Sequence, residues 1–102
     1  MIHRFAEKRP AEAVTITFRF ARELAAGVTL APGATVSIAV RKGADAAPQA
    51  MLAGSPAVSG PDVLARVMGG ISGVEYLITC TATTSIGDVL QLAALLPVAL
   101  PR

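Results

Sequence analysis

Residues 74–98 read VEYLITCTATTSIGDVLQLAALLPV, and this stretch decides the fold. Val74, Tyr76, Ile78, Cys80 and Ala82 fall on one side of an extended chain, with Glu75, Leu77, Thr79, Thr81 and Thr83 on the other. Successive side chains of a β-strand point to opposite faces, so this period of two marks a half-buried strand. Ser85-Ile86-Gly87-Asp88 breaks the pattern with turn residues, and Gly87 is suited to the positive φ that a tight hairpin turn needs. A further strand runs over 89–98, so the spacing predicts a long antiparallel hairpin.

The same rhythm recurs outward from this hairpin. Val14, Ile16, Phe18 and Phe20 alternate with Thr15, Thr17 and Arg19. Val36, Ile38 and Val40 alternate with Thr35, Ser37 and Ala39, and Val63, Ala65 and Val67 with Leu64, Arg66 and Met68. Residues 31–34 and 69–73 carry the Gly and Pro of turns and corners. Gly54-Ser55-Pro56 and Ser59-Gly60-Pro61-Asp62 read as loops around a short strand near Ala57-Val58. Residues 21–26 read as one helical turn or a bend closed by Gly27, and 46–51, broken by Pro48, as a short strand or a turn.

Short strands about every ~10 residues predict an all-β fold, an immunoglobulin-like antiparallel β-sandwich of about seven strands. Tyr76 stands near the start of the penultimate strand, where such sandwiches place a tyrosine whose hydroxyl bonds back to the preceding corner. Ile78 occupies the position of the cysteine these domains often carry, tryptophan is absent, and Cys80 is the one cysteine, so no intradomain disulfide forms.

Composition bounds the function. The chain has 102 residues, enough for one domain. Hydrophobic residues make up 53%, but 20 of them are alanine and only 4% of the chain is aromatic, so the core must be thin. Charged residues are 16%, against ~25% in an average soluble domain. That surface is too apolar for a solitary monomer and argues against disorder. The charge-free run 24–40 is interrupted by Pro32-Gly33 and is shorter than the ~20 residues of a membrane span, so no membrane partner is expected. The opening MIHRFAEKRP is charged and lacks the apolar segment of a signal peptide. Net charge is +2 and only Arg4, Lys8 and Arg9 cluster, so no nucleic-acid partner is expected either.

Chemistry-bearing residues are sparse. His3 is the one histidine and lies far in sequence from Cys80, which predicts no Cys–His nucleophile pair. One His and one Cys are too few for a metal site. Gly69, Gly70 and Gly73 precede a β-branched strand rather than a Lys-Ser/Thr and a helix, which suits a corner better than a phosphate loop. The carboxylates Glu7, Glu12, Glu23, Asp45, Asp62, Glu75 and Asp88 form no recognisable acid–base pair or calcium loop. The expectation is a protein that is not an enzyme and takes no cofactor. The last strand is apolar on both faces, with Leu90, Leu92, Ala94, Leu96 and Val98 on one and Val89, Ala93 and Leu95 on the other, which asks for cover on both sides.

The stretch from Glu12 through FRFARELAAG, the segment GADAAPQAMLAGSPAVSG and the block VMGGISGVEYLITCTATTSIGDVL resemble the fiber-tail adaptor or tail accessory proteins of tailed bacteriophages. The resemblance covers about residues 12–98 and is strongest at Gly70-x-x-Gly73-x-x-Tyr76 and Thr83-Thr84-Ser85-x-Gly87. It implies an immunoglobulin-like virion protein assembled in the bacterial host cytoplasm. Such a protein joins or decorates neck, tail or fiber components, with copies of itself in a ring. An adhesive or carbohydrate-binding module of the same fold is the alternative. Residues 1–10 are expected to form an extended arm and 11–102 the sandwich. The expected contact residues are His3, Arg4, Phe5, Lys8 and Arg9 of the arm, with Val89, Leu95, Leu100 and Arg102; Gly70, Gly73, Tyr76 and Gly87 are expected to shape corners and turns. Loops 41–48 and 54–62 are further candidates for contact.

Overall fold

The computed structural model describes residues 3–5 and 8–99. Seven extended segments build two sheets: β1 (His3–Arg4), β2 (Ala13–Arg19), β3 (Thr35–Lys42), β4 (Leu52–Ser59), β5 (Asp62–Met68), β6 (Glu75–Thr83) and β7 (Val89–Pro97). One sheet has the order β1-β7-β6-β3 and the other β2-β5-β4. Strands β7, β6 and β3 are the three-stranded layer of an immunoglobulin-like sandwich, and β2, β5 and β4 three strands of its opposing layer. The fold is all-β, and its regular helical structure among the described residues is two 3-10 turns, at Ala21–Glu23 and Pro48–Met51.

Alternation does place the core. Ile16, Phe18, Val36, Ile38, Val63, Ala65, Val67, Tyr76, Ile78, Cys80, Ala94 and Leu96 are buried between the sheets. Registers carry this across strands, with Val36 opposite Cys80, Ile38 opposite Ile78 and Ile78 in turn opposite Ala94. Burying each Val, Ile or Leu contributes ~1.5–3 kcal/mol, so a core of small side chains holds through the number of its members.

Three details differ from the sequence reading. Six strands have seven residues or more, against about seven expected; the remaining segment, β1, is two residues long and runs parallel to β7. Gly54-Ser55-Pro56 is not a loop. It lies within β4, where the pairing to β5 shifts between Ala53 and Ala57, a bulge on an edge strand that tolerates Gly and Pro. Of the two readings of 46–51, a short strand or a turn, the structure shows the turn, a 3-10 turn begun by Pro48. The helical turn proposed for 21–26 contracts to three residues.

The described part of the 1–10 segment is extended and lies on the sandwich. His3 and Arg4 pair with Ala94 and Leu95, the Phe5 N–H donates to the Leu95 carbonyl at 2.8 Å, and the Lys8 N–H to the Pro97 carbonyl at 2.9 Å. The Phe5 ring meets Phe18 edge-on, with centroids 5.7 Å apart. Such an aromatic pair adds ~0.5–1.5 kcal/mol beyond burial and pins the segment to the core.

Candidate assembly interface

At one end of the sandwich the corner before β6 is fixed by Tyr76. Its side chain is fully buried. Its hydroxyl accepts the Ile71 N–H at 2.9 Å and donates to Asp45 Oδ2 at 2.7 Å. Asp45 Oδ1 accepts the Ala47 N–H at 2.9 Å. That backbone bond and then the tyrosine hydroxyl hold the Asp45 carboxyl below the usual carboxylate range. Burial, and then the bond to Asp45, push the Tyr76 phenol up. Gly70 has φ 98°, and a Cβ there would lie 3.1 Å from both Met51 Cε and Val98 Cγ2. The Gly73 N–H donates to the Val98 carbonyl at 2.8 Å, tying the corner to the end of β7. Gly87, in the β6–β7 turn, has φ 90°.

Lys8, one of the contact residues expected from the sequence, lies at this same end. It is 1% exposed. Its Nζ donates to the Gly69 carbonyl at 2.5 Å and the Arg9 carbonyl at 2.7 Å, while its own carbonyl accepts the Ala99 N–H. Loss of water around the ammonium lowers its pKa, offset in part by Glu12. A charged residue in a polar arm reads as solvated; the tertiary fold supplies the distant Gly69 carbonyl that lets it go inside.

The other expected contact residues separate into two places. Leu95 is half-buried beside β1, and Arg9, also half-buried, donates its N–H to Glu12 Oε1 at 2.7 Å. Val89 stands six residues away along β7, ~20 Å in an extended strand, and is 65% exposed. Leu100 and Arg102 lie outside the described residues.

Val89 has company that the sequence reading missed. Ile86, at the tip of the β6–β7 turn, is 66% exposed. The Ser85 N–H donates to the Thr29 carbonyl at 2.8 Å, and the Thr29 N–H donates to Ser85 Oγ, so this turn is stitched to the 20–34 loop. Beside it opens a groove of about 570 Å³ between that loop and the β4–β5 turn, lined by Leu24, Val28, Leu30, Pro32, Val58 and Pro61 among others, none charged. An isoleucine in a turn that favours Gly, Asn, Asp and Ser is the sequence signal that marks this end. The outward face of β3, β6 and β7 adds Thr35, Ser37, Ala39, Leu77, Thr79, Thr81, Gln91 and Ala93, also uncharged; Arg41 and Glu75, 3.9 Å apart, stand at one end of it.

Cys80 faces the core with its thiol pushed up to about 11 by burial, the opposite of an activated nucleophile. No group of three or more His, Cys, Asp or Glu residues that could hold a metal ion occurs among the described residues. No helix among them is long and apolar enough to cross a membrane.

No curated protein matches the chain. A family model does, described as podophage GP4 fiber-tail adaptor protein gp77, over residues 8–97. The matched stretch starts at buried Lys8 and ends where β7 ends, so it takes in the six full strands and both ends of the sandwich. The chain belongs to the podophage GP4 fiber-tail adaptor protein gp77 family.

Proposed function

We propose that the chain is a structural component of a podophage virion that joins tail and fiber parts as one of several identical copies in a ring, assembled in the host cytoplasm. The observation that carries this reading is the exposed apolar pair Ile86 and Val89 with the groove of uncharged lining beside them, set apart from the end closed by Tyr76 and Lys8. A ring of identical subunits needs two different patches on each copy, because head-to-tail contacts join unlike surfaces. The Ile86 end supplies one, and the outward face of β3, β6 and β7, charged at one end by Arg41 and Glu75, a second. Burying either against a neighbour stabilises the folded form, which suits a thin core. Catalysis plays no part in this reading; the described side chains offer contact area rather than reactive groups.

Purified particles test it. Quantitative mass spectrometry of virions is expected to find the chain at a fixed multiple of a tail protein. A chain absent from washed particles would sink the reading.

A further inference from the structure

A sandwich has four sheet edges, and on two of them here pairing with another strand is visibly obstructed. The edge of β3 is covered by Gln49, whose Oε1 accepts the Ile38 N–H at 2.8 Å and whose Nε2 donates to the Val36 carbonyl at 3.0 Å. The edge of β4 is broken by its register shift and by Pro56. Both are recognised ways of protecting a strand edge. The β1 edge is two residues long.

Strand β2 has none of these devices. Ala13–Arg19 holds an unbroken seven-residue register with β5, has no Pro or Gly, and is rich in β-branched residues. The Phe20 N–H bonds the Pro61 carbonyl, so in this antiparallel ladder Phe18, Ile16 and Val14 direct their backbone groups at β5. Thr15, Thr17 and Arg19 therefore direct theirs away from the sheet, and no partner for them occurs among the described residues. Alongside runs a groove of about 420 Å³ with Val14, Ile16 and Leu96 among its apolar lining. Of its charged lining among the described residues, Arg19 is exposed, Lys8 is buried, and Glu12 Oε1 already accepts the Arg9 N–H.

We propose that β2 is a strand-addition site, taking an extended segment of another protein of the particle as a fourth strand of the β2-β5-β4 sheet. Main-chain bonds to Thr15, Thr17 and Arg19 supply the docking, alternate apolar side chains enter the groove, and a carboxylate of the segment meets Arg19. The exposed Arg19 favours a segment that carries a carboxylate beside it, and the obstructed β3 and β4 edges make those strands of a second copy poor occupants. The proposal rests on the virion reading above.

Hydrogen exchange of the chain free and in purified particles tests it. Amides of residues 13–19 are expected to exchange at least tenfold more slowly in particles. Equal exchange in both states overturns the proposal while leaving the virion reading intact; a chain missing from particles ends both. Protection that appears in the free chain as concentration rises assigns the edge to a second copy and also overturns it. In variants, Thr17→Pro removes one outward N–H and is expected to cut incorporation at least tenfold. Incorporation of a folded Thr17→Pro chain at the normal level contradicts the proposal, and should that variant not fold, the exchange measurement decides. Arg19→Glu is expected to weaken incorporation, and no effect would contradict the carboxylate beside Arg19.

Discussion

The Tyr76 hydroxyl donates a 2.7 Å hydrogen bond to Asp45 Oδ2 across 31 positions of sequence. This bond joins β6 to the loop between β3 and β4, and the same hydroxyl takes the Ile71 N–H of the corner just before β6. Three segments distant in sequence or turned sharply in space are thus held by one phenol buried at their junction.

Replacing Tyr76 with Phe keeps the ring and removes both bonds. A buried hydroxyl network of this kind is worth ~1–2 kcal/mol, equivalent to roughly 5–15 °C in Tm for a chain of this size. Calorimetry is expected to show that loss. A shift under 1 °C would mean that the corner is held by its glycines and by the bond from Gly73 to Val98 alone.

The same bond gives stability a pH dependence. Asp45 titrates lower folded than unfolded, because the folded carboxylate accepts the Ala47 N–H and the tyrosine hydroxyl. Its contribution is therefore present above its unfolded value of ~3.9 and is lost as pH falls through the lower folded value. The stability gap between the native chain and Asp45→Ala is expected to narrow steadily below about pH 4 in denaturant titrations. A gap that widens on acidification would reverse the sign assigned here.

Cys80 acts in the opposite direction. Its thiol is raised to about 11 by burial. Stability from this group is intact below the unfolded value of ~8.5 and declines as pH rises from there through the folded value. The alkaline loss is expected to be smaller in Cys80→Ala. The folded thiol is expected to resist iodoacetamide at pH 8 and to react fully in guanidinium. Rapid labelling of the native chain would contradict its burial between the sheets.

Gly43 is a position where a side chain has nowhere to go. With φ 97°, a Cβ would fall 2.9 Å from Val74 Cγ2 and 3.3 Å from its backbone Cα. Gly27 also has positive φ, 80°, but open space around it. Ala at Gly27 carries the left-handed strain alone, ~1–2 kcal/mol, so Gly43→Ala is expected to cost measurably more. Equal losses in chemical denaturation would refute the clash.

These residues show how far the sequence can be read. The Val74 to Ala82 alternation is local and survived folding, because a period of two is what a one-sided core requires. Tyr76 was legible because its place at the start of β6 is fixed by the corner. Asp45 was not, since its partner lies on another strand and Asp in a loop already has a local use with Ala47. Gly54-Ser55-Pro56 misled because turn residues also build edge bulges. Lys8 and Gln49 escaped for one reason: a polar side chain that satisfies distant backbone leaves no periodic trace. Ile86 was visible, yet an apolar turn residue acquires meaning only once the 20–34 loop is seen beside it.

The exposed end can be altered without touching the core. Ile86→Asp and Val89→Asp change residues about two-thirds exposed, so Tm is expected to stay within the equivalent of ~0.5 kcal/mol. Incorporation into particles is expected to fall sharply. Normal incorporation of the double variant would remove this end from the interface.

The most direct measurement is a cryo-electron microscopy reconstruction of the particle with side-chain density at the tail–fiber junction. The account predicts several symmetry-related copies of this sandwich there, with Ile86 and Val89 covered by neighbouring protein. A junction without the chain, or copies whose Ile86 end faces solvent, would contradict it.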